Sequence, residues 1–134
     1  MKKIIALIGI LGLVGSVVGM DSSGDLVVAV QDNDFSYVNR LIKDGVDLNR
    51  IGGDYLDTPL TMAVKFGNKE IVETLIKAGA DLDVKNMLDH SALTVAVNVG
   101  DKEIVEALIK AGADLDVKDG HGDTALDWAK KLND

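Results

Sequence analysis

The 134-residue sequence contains no cysteine, a single proline and few aromatic residues. Without cysteine, neither disulfide bonds nor thiolate metal sites can stabilise the fold. Aromatic residues make up 4% of the chain and hydrophobic residues 47%, so a core must be built from Ala, Val, Leu and Ile. The length allows one modest domain. Together these features predict small helices packed closely side by side.

Basic residues are also scarce, because 14 Lys and Arg oppose 22 Asp and Glu, for a formal net charge of -8. Nucleic-acid binding takes most of its affinity from Lys and Arg that neutralise phosphates, so the composition predicts no nucleic-acid partner. Two explanations of the acidity stay open. It keeps an exported protein soluble, or it complements a basic surface on a partner.

The first twenty residues have the parts of a secretory signal peptide. Lys2 and Lys3 precede an apolar run, Ile4–Val18, and small residues lie near the end of that run. We therefore predict a signal peptide at residues 1–20 and a periplasmic or secreted mature chain. Alternatively, the run stays uncleaved as a membrane anchor, although it is shorter than the ~20 apolar residues that usually span a bilayer.

Beyond the predicted signal peptide the sequence repeats with a period of 33 residues. Residues 69–85 recur as residues 102–118, and the single difference is Thr74 against Ala107. A fixed period in this range indicates a solenoid of stacked units. Within a repeat domain at 21–134, we predict units at about 25–57, 58–90 and 91–123 and a partial unit at 124–134.

Each unit has the pattern of two short helices and a turn. Thr58 is a suitable N-cap residue, and Pro59 suits the first helical position, where its missing N–H is not needed. Gly79 and Gly112 suit the left-handed residue that ends the second helix. The sequence thus predicts an all-α fold.

These residues resemble the ankyrin repeat. Residues 58–63 (TPLTMA) are similar to the T-P-L-H-x-A start of that family, and residues 79–81 and 112–114 match its G-A-D segment. Residues 119–124 fit its D-x-x-G-x-T turn. The resemblance covers roughly residue 25 to the C-terminus. It implies an ankyrin-type helix-turn-helix solenoid with short β-turn fingers.

Two departures from the family pattern concern the turns. Thr61, Thr94 and Asp127 replace the family's histidine, which ties neighbouring turns together, so we expect looser turns. Leu56 and Asp89 replace the turn glycine, which favours positive φ, so we expect those two turns to deviate from the usual geometry.

The sequence shows no constellation for catalysis. His90 and His121 lie in predicted turn tips at different positions of the repeat, which favours ordinary solvated side chains. Residues 114–120 are similar to a calcium loop, but Lys118 stands where that loop needs a ligand oxygen. We predict no enzyme activity, no metal site and no cofactor.

A comparison of the copies indicates where a partner binds. The second helices are almost identical, but residues 54–57 differ from residues 87–90, and residues 65–66 differ from residues 98–99. In ankyrin proteins these turn tips and first-helix ends line a concave groove that contacts partners. The predicted partner-binding residues are Asp54, Tyr55, Asp57, Phe66, Met87, Leu88, His90, Val99 and His121.

Other interpretations of the apolar residues remain open. Phe66, Val99 and Leu132 occupy equivalent repeat positions, so they could instead pack on one another between units. Trp128 is predicted to cover the end of the stack.

The sequence therefore predicts a non-enzymatic, exported, monomeric module that binds a protein through an ankyrin groove. A role as chaperone or inhibitor of another exported protein fits this prediction. Membrane contact is expected only if the signal segment is retained. The alternatives are a membrane-tethered or self-associating adaptor, and an exported effector that acts on host proteins.

Overall fold

The structure is a computed structural model that describes residues 23–133. The predicted signal peptide at residues 1–20 lies outside the described residues. Seven helices and no strands occur in the described part: α1 (Ser23–Gln31), α2 (Phe35–Lys43), α3 (Pro59–Lys65), α4 (Lys69–Lys77), α5 (Ala92–Val99), α6 (Lys102–Lys110) and α7 (Ala125–Asn133). No helix among residues 23–133 combines the length and apolar character needed to cross a membrane.

The helices form two rows. Helices α1, α3, α5 and α7 make an inner row in which each helix packs against the next, and α2, α4 and α6 make an outer row with fewer contacts between neighbours. Helix α3 packs against α4, and α5 packs against α6, so the chain advances along the stack as helix pairs. This arrangement confirms the predicted all-α ankyrin-type solenoid.

A continuous core lies between the two rows and is aliphatic, as the composition predicts. Its largest fully buried apolar side chains are Leu26, Val27, Val30, Val38, Leu60, Val64, Ile71, Val72, Leu75, Ile104 and Leu108. Small residues such as Ala63 and Ala96, both fully buried, lie on inner helices and allow close helix packing.

The helices begin and end at the residues that the sequence predicts. The Thr58 hydroxyl accepts the backbone N–H of Thr61 at 3.0 Å, and Pro59 takes the first position of α3. At the other end of the helix pair, Gly79 has φ +93°, and the equivalent Gly112 has φ +96°. Both glycines therefore supply the left-handed residue that ends an outer helix.

Three short turns connect the helix pairs, and we call them the first finger (residues 53–57), the second finger (86–90) and the third finger (119–123). The expectation that the first two deviate is wrong for the backbone at the position of the turn glycine. Leu56 and Asp89 adopt φ +53° and +63°, in the same left-handed region as Gly122 at φ +82°. The second and third fingers are closed by equivalent bonds, from the Asn86 N–H to the His90 carbonyl and from the Asp119 N–H to the Asp123 carbonyl. The first finger is closed one residue earlier, from the Gly52 N–H to the Asp57 carbonyl, and Gly53 has φ +74°. A side chain with a Cβ in the left-handed region costs roughly 1–2 kcal/mol.

The residues that replace the family's histidine bond within their own unit. The Thr58 hydroxyl donates to Thr61 Oγ1 at 2.9 Å, and the Thr124 hydroxyl donates to Asp127 Oδ2 at 3.1 Å. These bonds fasten the start of each inner helix. Neighbouring fingers must therefore be linked by other residues.

Candidate protein-binding surface

The apolar residues predicted to contact a partner are exposed. Tyr55, Met87 and Leu88 lie on the first two fingers with 48%, 60% and 51% of their surface accessible. Phe66 and Val99 lie at the ends of inner helices α3 and α5 and are also exposed. Since turns and helix ends are usually polar, this set of apolar side chains forms an unusual surface.

Three of the predicted polar residues differ in their accessibility. Asp54 and His121 are exposed, and His90 is half-buried. The His90 ring meets the edge of Trp128, with 6.2 Å between ring centroids. His90 is therefore packed against the last inner helix and is not a freely solvated turn residue.

The placement of Asp57 on the partner-facing surface is wrong, because its side chain is completely buried. Its two carboxylate oxygens bond to two different residues. Oδ2 accepts from Lys65 Nζ at 2.8 Å, and Oδ1 accepts from Asn86 Nδ2 at 2.9 Å. A buried carboxylate needs such partners, since an unpaired one is costly to desolvate. Asp57 is therefore an internal anchor and not a contact residue.

The repeat-equivalent residues Phe66, Val99 and Leu132 leave half or more of their surface exposed, at 57%, 50% and 51%. Packing between units therefore does not bury them. They form a second apolar row along the ends of the inner helices, on the same helices whose starts carry the fingers.

The first and second fingers are joined by two direct bonds. Asn86 reaches back from the second finger to Asp57, and the Met87 N–H donates to the Tyr55 carbonyl at 2.9 Å. In addition, the Lys65 ammonium lies 4.6 Å from the centre of the Tyr55 ring, within the range of a cation–π interaction. Tyr55 is thus exposed but held in place.

The third finger is tied to helix α7 instead. Asp119 Oδ2 accepts from Trp128 Nε1 at 2.6 Å, and Oδ1 accepts the backbone N–H groups of His121 and Asp123 at 2.9 and 3.0 Å. The Asp123 N–H and, next, the Trp128 indole lower the pKa of Asp119 to about 2. Trp128 is half-buried at the last inner helix, where its indole fixes the third finger.

The outer row carries a different kind of surface. Lys69 of α4 pairs with Glu103 of α6, and this bond raises the pKa of Lys69. Both side chains are well exposed, so the pair contributes little to stability. Sequence periodicity within a helix does not reveal this link, because it joins two units.

The described residues hold no group of three or more His, Asp or Glu side chains that could bind a metal ion. In the calcium-like run at residues 114–120, the carboxylates of Asp114 and Asp119 accept hydrogen bonds. Asp114 Oδ1 accepts the N–H of Asp116, and Asp119 bonds to its own turn and to Trp128.

The paired helices and their fingers define the class of this protein as a helical repeat protein. Family comparison is more specific. The model described as "Ankyrin repeats (many copies)" matches residues 26–76, and the model described as "Ankyrin repeat" matches residues 89–120. Together they cover more than half of the chain. The chain belongs to the ankyrin repeat family, whose repeats are protein–protein interaction modules and generally non-enzymatic.

The curated relatives are larger proteins. Ankyrin repeat and SOCS box protein 5 from Oryctolagus cuniculus is 39% identical over 61 residues, which are 46% of this chain and 18% of that protein. The BRCA1-associated RING domain protein 1 from Caenorhabditis elegans is 34% identical over 67 residues, 50% of this chain and 10% of that protein. The chain thus spans less than a fifth of the length of either relative, and the similarity concerns the repeats.

Proposed function

We propose that this chain is an exported, non-enzymatic module that binds one protein partner through the fingers and inner-helix ends of its ankyrin stack. The observation that carries the proposal is a coincidence of two properties. The finger and inner-helix-end segments differ between otherwise similar copies, and these segments also expose large apolar side chains.

Solvent exposure alone does not account for this divergence. Glu73 and Glu106 are exposed at equivalent positions of the outer helices, and both are glutamate. In contrast, Tyr55 and Leu88 are equivalent fingertip residues of similar exposure that differ in chemistry. Variation among the exposed residues that is concentrated on one surface is expected where each position meets a different part of a partner.

The exposed apolar set suits the centre of an interface. Aromatic and large aliphatic side chains supply most of the binding energy at protein interfaces, and polar neighbours exclude water around them. Here Tyr55, Met87 and Leu88 supply the apolar centre, and Asp54 and His121 are exposed polar residues of the first and third fingers. The three fingers together can therefore supply the apolar centre and the polar rim of a protein interface.

Export is the second part of the proposal. It is supported by the basic and apolar pattern of residues 1–20 and gives a periplasmic or secreted module. N-terminal sequencing of the protein purified from its own cells tests it. A mature start near Asp21 supports export with cleavage, and an intact Met1 in the membrane fraction favours a tethered adaptor instead.

The binding surface is tested with the double variant Tyr55→Ala/Leu88→Ala. The tagged chain is cross-linked in its own cells, purified, and its adducts are quantified by mass spectrometry. We expect recovery of the partner to fall about tenfold or more, since each fingertip side chain is worth roughly 1 kcal/mol in an interface. Far-UV circular dichroism should be unchanged.

A matched control removes equally exposed apolar side chains from the opposite part of the stack. Ile109 lies on outer helix α6 and Leu115 follows it, with 47% and 51% of their surfaces exposed. The variant Ile109→Ala/Leu115→Ala should recover the partner as the unmodified chain does. Equal recovery by both double variants would contradict the proposed surface.

A further inference from the structure

We infer that Lys65 and Asp57 are positioning residues that hold the first and second fingers together as one preformed platform, which presents Tyr55, Met87 and Leu88. This inference rests on the proposed function for its biological meaning. Its structural content does not depend on any partner.

The anchor of the platform is the Asp57 carboxylate. It is fully buried, and one oxygen bonds to Lys65 while the other bonds to Asn86. The Lys65 side chain is 35% exposed, so the pair connects the base of the first finger to the end of helix α3 near the surface. A fully buried carboxylate with two fixed partners has little freedom to reorient.

Asn86 links the Asp57 carboxylate to the backbone of the second finger. Because a carboxylate only accepts hydrogen bonds, the amide nitrogen of Asn86 must face Asp57. Its amide oxygen then faces the other way, where it accepts the N–H groups of Leu88 and His90 at 2.9 and 3.0 Å. The orientation of one side chain therefore fixes the backbone at the second fingertip.

Two more contacts complete the platform. Lys65 lies against the Tyr55 ring, and the Tyr55 carbonyl accepts the Met87 N–H. The apolar side chains of both fingers are thus carried on a backbone that is ordered before any partner arrives. Preformed surfaces bind more tightly because less conformational entropy is lost on association.

The link between the second and third fingers has different residues at both ends, because His90 stands in the second finger where Asp57 stands in the first. The pair Asp123–Lys131 repeats the pair Asp57–Lys65, but Asp119 stands where Asn86 stands in the second finger. Asp119 cannot donate to the preceding finger, and it accepts from Trp128 instead. Among the backbone bonds of the described residues, none repeats the Met87–Tyr55 bond between the second and third fingers.

Amide hydrogen exchange of the purified full-length chain, resolved by NMR, tests the inference without a partner. In Lys65→Met, the N–H groups of Met87 and Leu88 should exchange about tenfold faster or more. The His121 N–H, bonded to Asp119, should keep its rate. Lys65→Arg should restore slow exchange at the second finger, because it restores the cation.

A second variant is needed because Lys65→Met leaves a buried charge that can unfold the chain. In Asp57→Leu/Lys65→Met neither charge remains and Asn86 has no acceptor at position 57, so the same two amides should exchange faster than in the unmodified chain. Lys131→Met is the matched control, since it breaks the equivalent pair in the last unit. It should leave the exchange of Met87 and Leu88 unchanged.

The outcomes separate this inference from the proposed function. Unchanged exchange of Met87 and Leu88 in both variants that carry Lys65→Met would overturn the coupling, whatever the chain binds. Faster exchange together with reduced cross-linking of the partner supports the platform as a binding element. Faster exchange with undiminished cross-linking would confine Lys65 and Asp57 to a structural role and overturn their assignment as positioning residues.

Discussion

Helices α4 and α6 differ in one residue of nine, yet they bury the same side chains to different extents. Val72 of α4 is completely buried, and the equivalent Val105 of α6 is half-buried. Ile76 is half-buried, and the equivalent Ile109 is 47% exposed. Helix α4 lies between α2 and α6, whereas α6 contacts α4 alone in the described outer row. Position in the stack, and not sequence, sets the burial.

This comparison shows how stability is distributed. In a solenoid each unit is stabilised by its own core and by the interfaces with its neighbours. The last inner helix, α7, is followed by no outer helix in the described residues, so α6 lacks one interface that α4 has. A nearly identical nine-residue helix therefore contributes less to stability at the end of the described stack than inside it.

The second and third fingers show the opposite relation, in which one geometry is built from different residues. The second finger uses Asn86 and the third uses Asp119 to accept two backbone N–H groups each. Only Asn86 has an N–H to spare for the preceding finger. Asn86 therefore joins the second finger to the first, whereas Asp119 joins the third finger to helix α7.

The largest expected effect concerns the two outer helices. Val72→Ala should lower the free energy of unfolding by about 2–3 kcal/mol, because it removes two buried methyl groups and leaves a cavity. Val105→Ala should cost about 1 kcal/mol or less, because part of that side chain already contacts water. Urea unfolding with linear extrapolation measures both values. Equal losses at the two sites would contradict the end-of-stack explanation.

A smaller effect is expected at the third finger. The folded pKa of Asp119 is about 2 and its ordinary value is 3.8, so the unfolded chain binds the proton first as the pH falls. The stabilisation from Asp119 is therefore complete above about pH 4 and is lost as the pH falls towards 2. The pKa of Asp127 is also lowered, chiefly by the Thr124 N–H, and adds to the same trend.

The variant Asp119→Asn isolates the first of these contributions. An asparagine oxygen can keep the two bonds to the turn, as the Asn86 oxygen does. Its amide nitrogen then faces Trp128 Nε1, and because both groups are donors, the bond to Trp128 is lost. Urea midpoints between pH 5 and pH 2 should fall less steeply for the variant than for the unmodified chain. A variant with an unchanged slope would show that Asp119 is not the source of the acid sensitivity.

The fold was predictable because its signals are local or periodic. Thr58, Pro59 and Gly79 mark helix ends by their own conformational preferences, and the 33-residue period identifies the stack. The wrong expectation concerned Leu56 and Asp89, where local preference argues against a positive φ. The surrounding units impose that conformation despite its cost.

The candidate site was predictable in its outline but not in its connections. Divergence between copies pointed to Tyr55 and Leu88, which are exposed. It also pointed to Asp57, because a comparison of the copies does not show whether a side chain is buried, and Asp57 is. The bond from Asp57 to Asn86 joins residues 29 apart in sequence and needs the stacked fingers to exist. The equal spacing of Asp57–Lys65 and Asp123–Lys131 is the one sequence signal that could have revealed these pairs.

The central claim is that the fingers, and not the outer helices, meet the partner. The most direct measurement places a photo-reactive amino acid at position 88 of the second finger or at position 109 of α6, in the chain's own cells. The account predicts a discrete covalent adduct with one protein from position 88 and none from position 109. Adducts from position 109 alone, or equally from both positions, would contradict it.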